Sequence, residues 1–435
     1  MTERVVGKRV QLSEVEGDLY LEDASVETPQ GLLRVHQTLF CSGRCRIQGN
    51  VICNQLIAEG STVTIGGDLS TTTVEAKRSS VEVAGSLKAG EAQVAKSLEV
   101  GGELEAESVR VGGSMVVEGD ARAKRVRVGG RLRIRGDASI DHVEAGGSYR
   151  VWGRSTSKTI DVGGTLKTRE IEAEEIDVGG SFKADGAVNV KSIEVGGSVK
   201  IAGGRVERKI DVGGSFSSSK PLEFADLEVG GVGKLEEGGV GNTIDVGGVF
   251  KTGGGLRFNK LSVGGIAELG GDSHGNELTV GGVLRVKGSL EVEERFKVGG
   301  KARVEGELKA RTVRVGGSLK ANKVVAEEYI ETSSLSTREG AKASRVEIGR
   351  RGKVRGPLVG GEIVLRERVE AEDIWGDVVR LRRGCSAGRV YGRLVQLEAR
   401  CRVEEVEYTE ELQVEPGCRI NKPPVKVSQL PEPPL

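Results

Sequence analysis

Apolar and polar residues alternate in short triplets along this chain, and the triplets recur at a fixed interval. Within 195–211, Val199-Lys200-Ile201 and Ile210-Asp211-Val212 each place one polar residue between two apolar ones. A period of two predicts β-strands that turn alternate side chains inward. No stretch of comparable length keeps the period of a helix. The pattern therefore predicts an all-β chain of short strands.

An apolar residue followed by Gly-Gly, or by a close variant, marks each repeat. From Val111 to Val315 the interval between successive anchors is always 16, 17 or 18 residues. Such regularity is typical of repeat proteins in which each unit packs on its neighbours. The anchors are Ile65, Val83, Val100, Val111, Val128, Ala145, Val162, Val178, Val195, Val212, Val229, Val246, Val263, Val280, Val298 and Val315.

Three short strands fit into one repeat, the third being clear as Val188-Asn189-Val190. We interpret Gly-Gly as a corner that needs positive φ, which glycine adopts without strain. The prediction is a single-stranded β-helix (β-solenoid) with about 17 residues in each triangular coil. By analogy with most β-helices, we expect the coil to be right-handed.

Two intervals are shorter than the others. Val100 to Val111 and Ile348 to Val359 each span 11 residues, which is about one third of a coil too few. We expect the Gly-Gly corner to move to the adjacent edge at both points. The predicted segments are leading, less regular coils (1–110), a regular Val-Gly-Gly solenoid (111–347), closing coils (348–420) and a proline-rich tail (421–435).

The tail contains five of the nine prolines of the chain. Because proline has no N–H to donate to a ladder, we expect the tail to be disordered and unable to join the sheet. The rest of the composition agrees with thin coils, since Gly contributes 67 of 435 residues and aromatic residues only 3%. Small aliphatic side chains fill such coils.

Charge is balanced overall, with 64 basic and 64 acidic residues, so no global field draws the chain towards nucleic acid. We expect no nucleic-acid partner.

Charge is nevertheless patterned along the repeats. The position before the anchor forms an acidic stripe of Glu144, Asp161, Asp177, Glu194, Asp211, Glu228 and Asp245. Five residues after the anchor, a basic column includes Lys167, Lys183, Lys200, Lys234 and Lys251, here called the basic stripe.

Like charges in neighbouring coils repel, so each stripe must be solvated or neutralised by a partner. One interpretation is a solvated surface that prevents unwanted association. A second is lateral pairing, with the acidic stripe of one solenoid against the basic stripe of another. A third is cation binding along the acidic stripe, although the aspartate-rich nonapeptide of calcium-binding β-helices is absent.

Residues for metal or acid–base catalysis are scarce. His36, His142 and His274 lie several coils apart and cannot share one metal ion within a chain. None of the Gly-Gly pairs precedes a helix or has the Gly-Lys-Ser/Thr ending of a phosphate loop. We therefore expect no catalytic residue, no cofactor and no enzymatic activity.

The cysteines fall into two groups, of which Cys41, Cys45 and Cys53 lack the paired spacing of a zinc ribbon. Cys385, Cys401 and Cys418 are 16 and 17 residues apart, so they should stack in consecutive coils. Core packing explains both groups. Under oxidising conditions, a disulfide between Cys401 and Cys418 is the alternative. Cysteine usage and the absence of a signal-peptide core predict a cytoplasmic location.

Units such as Val83-Ala84-Gly85-Ser86-Leu87-Lys88 and Val315-Gly316-Gly317-Ser318-Leu319-Lys320 resemble the coils of bactofilins, polymer-forming cytoskeletal proteins of bacteria and archaea. The resemblance extends over about 5–420 and includes the proline-rich end. It implies a structural protein whose β-solenoid rods stack end to end without nucleotide. Together with the charge stripes, this predicts self-association, end to end or laterally, into filaments or bundles. The chain is several times longer than a single bactofilin domain.

Two alternatives stay open beside the cytoskeletal hypothesis. One is a capped, non-polymerising solenoid scaffold that displays a surface to one protein partner, with 421–435 as a candidate segment for holding it. The other is a solenoid subunit of an enzyme complex, like the solenoid domains attached to glutamate synthase or formylmethanofuran dehydrogenase. Membrane contact is undecided at this level.

Overall fold

The computed structural model describes residues 2–60 and 62–435, and every regular element in them is a β-strand. Strands pair in parallel with strands about 17 residues away in the sequence, so the predicted β-solenoid is confirmed. The chain forms two compact units, 1–214 and 215–435, which are described separately below. Together they contain about 25 turns.

Unit 1 begins with short strands and continues with alternating short and long ones. Its strands are β1 Glu3–Val6, β2 Arg9–Gln11, β3 Glu14–Val15, β4 Leu19–Glu22, β5 Ser25–Glu27, β6 Leu32–Ser42, β7 Cys45–Ile47, β8 Asn50–Glu59, β9 Thr62–Ile65, β10 Leu69–Lys77, β11 Ser80–Val83, β12 Leu87–Val94, β13 Ser97–Val100, β14 Leu104–Val111, β15 Ser114–Val117, β16 Ala121–Val128, β17 Arg131–Ile134, β18 Ala138–Ala145, β19 Ser148–Val151, β20 Arg154–Val162, β21 Thr165–Thr168, β22 Glu170–Val178, β23 Ser181–Val195 and β24 Ser198–Val212.

Unit 2 has the same organisation until its closing coils, where the strands become less regular. Its strands are β25 Ser215–Ser218, β26 Leu222–Val229, β27 Val232–Leu235, β28 Gly239–Val246, β29 Val249–Thr252, β30 Leu256–Val263, β31 Ile266–Leu269, β32 Ser273–Val280, β33 Val283–Val286, β34 Leu290–Val298, β35 Lys301–Val304, β36 Glu307–Lys320, β37 Lys323–Ser336, β38 Gly340–Ile348, β39 Val354–Arg355, β40 Leu358–Leu365, β41 Ile374–Leu381, β42 Ser386–Leu397, β43 Arg402–Val414, β44 Arg419–Ile420 and β45 Val425–Lys426.

One coil of unit 1 shows how three arms arise from two strands. The short strand β21 turns Leu166 and Thr168 inward. The long strand β22 bends where the consecutive residues Glu174 and Glu175 are both exposed, and each half of it turns alternate side chains inward. The ladder to β20 is interrupted at the same bend. Each coil therefore has three short arms around an apolar core, as the triplets predict.

The core of unit 2 alternates large and small residues along one column. Phe224, Gly241, Phe258 and Gly275 stack in register in four consecutive coils. A Cβ atom at Gly241 would lie only 2.2 Å from the Phe224 ring, and one at Gly275 equally close to the Phe258 ring. Each phenylalanine thus fills the space that its glycine neighbour leaves empty, which keeps the interior close-packed.

The Gly-Gly corner has a different cause from the one predicted. The glycines of the Val-Gly-Gly anchors are not among the described residues with positive φ. A Cβ atom at Gly163 would instead lie 2.4 Å from the carbonyl oxygen of Gly146 in the coil beneath, and one at Gly180 would lie 2.4 Å from that of Gly164. Close approach of the backbones, and not a left-handed conformation, therefore requires glycine at this corner.

Positive φ is found at another corner, in the closing coils. There one position per coil adopts a left-handed conformation with φ between 58° and 83°. Arginine occupies this position more often than glycine does, although glycine adopts the conformation at no steric cost. The residues are Arg351, Arg368, Gly384, Arg400 and Gly417.

The shorter interval near residue 100 moves the corner, as predicted. Val100 pairs with Val83 beneath it and with Val117 above it. Val111 instead pairs with Val94 and Val128. Anchors up to Val100 and anchors from Val111 onward therefore occupy two different columns of the solenoid.

The second predicted shift, at Val359, is wrong. Ile348 continues the column of Val315 and Thr332, and Leu365 follows it there. Val359 pairs with the exposed Lys342, so it lies on an outward-facing position of β40. Gly360 and Gly361 resemble an anchor in sequence only, because they lie inside a strand.

The proline-rich tail joins the sheet, contrary to the prediction. Val425 and Lys426 form β45, which pairs with Glu407 and Tyr408 of β43. These two residues follow Pro423 and Pro424 and have N–H groups of their own, so proline does not prevent the pairing. Further along, Val427, Leu430 and Leu435 are half-buried.

We expect Gly163→Ala to destabilise the coils around it. The added methyl group would meet the Gly146 carbonyl oxygen at 2.4 Å, and overpacking of this kind costs about 1–3 kcal/mol. Thermal unfolding measured by circular dichroism should show a lowered midpoint. The control is Glu172→Ala, an exposed position of the neighbouring strand β22, which should leave the midpoint almost unchanged. Equal midpoints for both variants would contradict the close-approach explanation.

Candidate interaction surface

The acidic stripe is a continuous column within unit 1. Five of its residues lie in register in consecutive coils, on the arm that ends at the Gly-Gly corner: Glu144, Asp161, Asp177, Glu194 and Asp211. The other two residues, Glu228 and Asp245, pair with each other in unit 2. Neighbouring strands are about 4.8 Å apart, so carboxylates of equal charge stack at that spacing.

Only the ends of the unit 1 column have ion-pair partners. Glu144 accepts a 2.6 Å hydrogen bond from Nε of Arg127, and Asp211 lies 2.9 Å from Nζ of Lys209. Between these ends, Asp161, Asp177 and Glu194 have no ion pair among the described residues. Three successive exposed carboxylates are therefore left to solvent or to a partner.

The basic stripe is also a register column. In unit 1 it contains Arg133, Arg150, Lys167, Lys183 and Lys200 in consecutive coils. Lys183 lies 2.7 Å from Asp185, whereas Lys167 and Lys200 have no ion pair in the described part of the chain. The basic stripe begins on the arm just after the Gly-Gly corner, so the two stripes flank one corner on adjacent faces.

In unit 2 the basic stripe is partly neutralised. Lys234 and Lys251 pair in register, and Lys234 lies 2.8 Å from Glu236. Glu268 then interrupts the column, and it lies 2.9 Å from Lys251 and 2.7 Å from Arg285. The hydrogen bond from Lys251 lowers the pKa of Glu268 below its ordinary value. Among the five lysines of the basic stripe, the two without an ion pair, Lys167 and Lys200, therefore both lie in unit 1.

A third column, at the bend of the long strands, alternates in charge and was not predicted. Its members pair between coils: Glu107 with Lys124 at 2.7 Å, Asp141 with Lys158 at 3.1 Å, and Glu174 with Lys191 at 3.1 Å. The hydrogen bond between Glu107 and Lys124 lowers the pKa of the carboxyl group and raises that of the amine. Counting four residues back from each anchor would have revealed this column in the sequence.

The closing coils neutralise their charges in the same way. Arg350 lies 2.8 Å from Glu367, Lys353 lies 3.1 Å from Glu370, and Arg393 bridges Asp377 and Glu410 in different coils. The hydrogen bond from Arg393 holds the pKa of Asp377 below its ordinary value. Ion pairs between coils therefore hold many of the charges in this part of the chain.

The histidines have separate surroundings. His36 contacts Glu14 at 2.9 Å, His142 contacts Thr159 at 2.8 Å, and His274 contacts Glu293 at 3.2 Å. Within residues 2–60 and 62–435, no group of three or more His, Cys, Asp or Glu side chains is placed to hold a metal ion. The structure thus brings none of these residues together.

The predicted cysteine ladder is confirmed. Cys385 and Cys401 are 0% exposed, Cys418 is half-buried, and each thiol donates to a carbonyl group of the preceding coil. Interaction between the first two thiols lowers the pKa of Cys385 and raises that of Cys401. In unit 1, burial raises the pKa of Cys53 to about 11. Each described cysteine is a free thiol.

The first coil of unit 1 and the last coil of unit 2 differ in how far they are covered. In the first coil β1, β2 and β3 pair with β4, β5 and β6, and no other described strand pairs with them. Val10 of that coil is only half-buried. In the last coil β44 and β45 pair with two arms of β43. Its third arm has no further described strand on it and ends at Val414, which is 46% exposed.

No helix among the described residues is long and apolar enough to cross a membrane. Comparisons with protein-family models, with curated proteins and with solved structures found no match to this chain.

We expect opposite effects on stability from the two kinds of column. Asp177→Asn should raise the thermal midpoint at low salt, because it relieves repulsion from Asp161 and Glu194, worth roughly 0.2–1 kcal/mol for each cross-strand pair. The matched variant Lys158→Gln should lower the midpoint, because it removes the ion pair with Asp141. Both shifts should shrink at high salt, where exposed charges are screened. A lower midpoint for Asp177→Asn at low salt would contradict the repulsion.

Proposed function

We propose that this chain is a non-enzymatic structural protein of the cytoplasm that self-associates, without nucleotide, into filaments or bundles of β-solenoids. The observation that carries the proposal is the first coil, whose three strands have one edge on which no described strand lies. Such an edge presents N–H and C=O groups that another copy can pair with. The resemblance of the coils to those of bactofilins supports the same assembly mode.

The stripes supply a second contact, between the sides of neighbouring copies. Asp161, Asp177 and Glu194 repeat at the coil spacing, and so does the basic stripe that contains Lys167 and Lys200. Columns with the same spacing and opposite charge can pair over several coils at once. Charge complementarity of this kind fixes register and speeds association, and it weakens as salt increases.

The second candidate function is a capped scaffold that binds one protein partner. It is favoured by the last coil, where β44, β45 and the half-buried part of the tail cover much of the terminal edge. A covered end does not add further coils, so a chain capped in this way would stay monomeric or dimeric.

End-to-end assembly predicts that a charge directed into the open first coil stops filament growth. We expect Val10→Lys to abolish filaments seen by electron microscopy, because an inward-pointing lysine on an edge strand opposes strand addition. The control Gln11→Lys adds the same charge at an exposed position of β2 and should leave filaments intact. Uniform single particles of the unmodified chain across concentrations and salts would contradict self-assembly and favour the scaffold.

Lateral pairing predicts that bundling is separable from filament growth. Changing Asp161, Asp177, Glu194 and Asp211 to Lys should abolish salt-sensitive bundling, measured by light scattering and sedimentation, while single filaments persist. The control variant changes Lys124, Lys158 and Lys191 of the alternating column to Glu, and its bundling should be retained. If bundling survived the changes in the acidic stripe, lateral pairing through that stripe would be wrong.

A further inference from the structure

One column of outward-facing positions in the closing coils is occupied by apolar residues. Val359, Trp375 and Tyr391 stack in register on β40, β41 and β42, and the two aromatic rings lie 4.9 Å apart. The residue before each of them is fully buried in the core: Leu358, Ile374 and Val390. Although they face outward, Val359 is only 8% exposed and Tyr391 only 6%. We call these three residues the aromatic face.

The two ends of the segment 427–435 lie at opposite ends of the aromatic face. The N–H group of Val427 donates to the carbonyl oxygen of Tyr408, whose neighbour Glu407 pairs with Tyr391 at one end of the face. At the other end, a Cβ atom at Gly340 would lie 2.6 Å from Leu435 Cδ1 and 2.8 Å from Pro357 Cγ. Residues 427–435 therefore pass from one end of the aromatic face to the other.

The length of the segment fits this path. Four coil spacings separate Glu407 from Lys342, the residues that flank the face in its column, which is roughly 19 Å. Eight residues in a polyproline II conformation rise by roughly 25 Å. An extended segment from Val427 to Leu435 therefore reaches across without strain.

The chemistry of the two partners also fits. Proline-rich segments in the polyproline II conformation bind aromatic-lined surfaces, and the tail has three prolines between Leu430 and Leu435. Leu430 and Leu435 are half-buried, whereas Ser428 and Gln429 are exposed.

One polar group on the face has no partner. The indole Nε1 of Trp375 is buried without a hydrogen-bond partner among the described residues. An unpaired buried donor is unfavourable, and a peptide carbonyl group of a ligand would satisfy it. A carbonyl group of a proline-rich segment can satisfy this donor, whether the segment belongs to the same chain or to a second copy.

We propose that the aromatic face is a binding surface for a proline-rich segment, that residues 427–435 occupy it within one chain, and that the same segment of a second copy binds it when that tail is displaced. The partner is thus another copy of this chain, held by its end segment. This inference goes beyond the proposed filament function and depends on neither the open coil edge nor the charge stripes.

Tryptophan fluorescence tests the proposal on the full chain. The chain has two tryptophans, and Trp152→Phe leaves Trp375 as the only indole. In this background Leu430→Asp with Leu435→Asp should displace the tail, which shifts the Trp375 emission to the red and increases its quenching by acrylamide. The matched control, Ser428→Asp with Gln429→Asp, adds the same charges at exposed positions and should leave emission and quenching unchanged.

The second part of the test asks whether the tail binds in trans. A synthetic peptide of residues 421–435, added to the variant with the displaced tail, should reverse the red shift in a saturable manner. The same peptide with aspartate at positions 430 and 435 should have no effect. A second variant that ends at Lys426 keeps β45 and should respond in the same way, with circular dichroism as the check that it is folded.

Two outcomes would overturn the proposal. If displaced-tail and control variants had identical emission and quenching, the tail would not cover the face. If the native peptide failed to reverse the red shift, the face would not bind the tail of a second copy. Fluorescence is read on dilute protein without filaments, so failure here is distinguishable from failure of the proposed self-assembly.

Discussion

The parallel hydrogen-bonded ladder between successive coils is the interaction on which everything else in this structure depends. The strands of one coil do not pair with one another, so their N–H and C=O groups bond to the coil above or below. Equivalent positions are therefore held at the strand spacing of about 4.8 Å throughout each unit. Each side chain therefore lies directly against the side chain at the equivalent position one coil away.

This stacking determines where glycine is required, how surface charges pair and how the core volume is filled. At the Gly-Gly corner the stacked backbones come so close that a side chain would meet the carbonyl oxygen of the coil beneath, as at Gly163 and Gly146. At the bend of the long strands, opposite charges such as Glu107 and Lys124 alternate, so they neutralise each other within the chain. In the acidic and basic stripes equal charges are stacked instead, and their neutralisation is left to something outside the coil.

Much of the fold could be predicted because the repeat is an arithmetic property of the sequence. The period, the three arms, the two stripes, the cysteine ladder and the shift at Val100 all follow from counting residues. Prediction from residue spacing failed where the same sequence motif occupies a different position in the coil. Val359 precedes Gly-Gly like an anchor, yet its register with Lys342 turns it outward. The sequence does not show which atom faces a glycine, so the cause of the Gly-Gly corner follows only from the structure.

The tail illustrates a different limit. Its proline content predicts disorder, because proline interrupts ladders, but the few residues between the prolines are sufficient for one short strand and for contacts along the coils. Composition averages over such a segment, whereas pairing and packing depend on individual residues, here Val425 in the ladder and Leu435 beside Gly340. The candidate surfaces were accordingly predictable where they repeat and not where they occur once.

The alternation of phenylalanine and glycine in unit 2 limits how such a chain can change in length. Deleting the coil that contains Gly241 would bring Phe224 directly against Phe258, and duplicating that coil would place two glycines together and leave a void. Deleting or duplicating two adjacent coils keeps the order of large and small residues. In this part of the protein, the unit that can be deleted or duplicated without disturbing the core is therefore a pair of coils, twice the length of the sequence repeat.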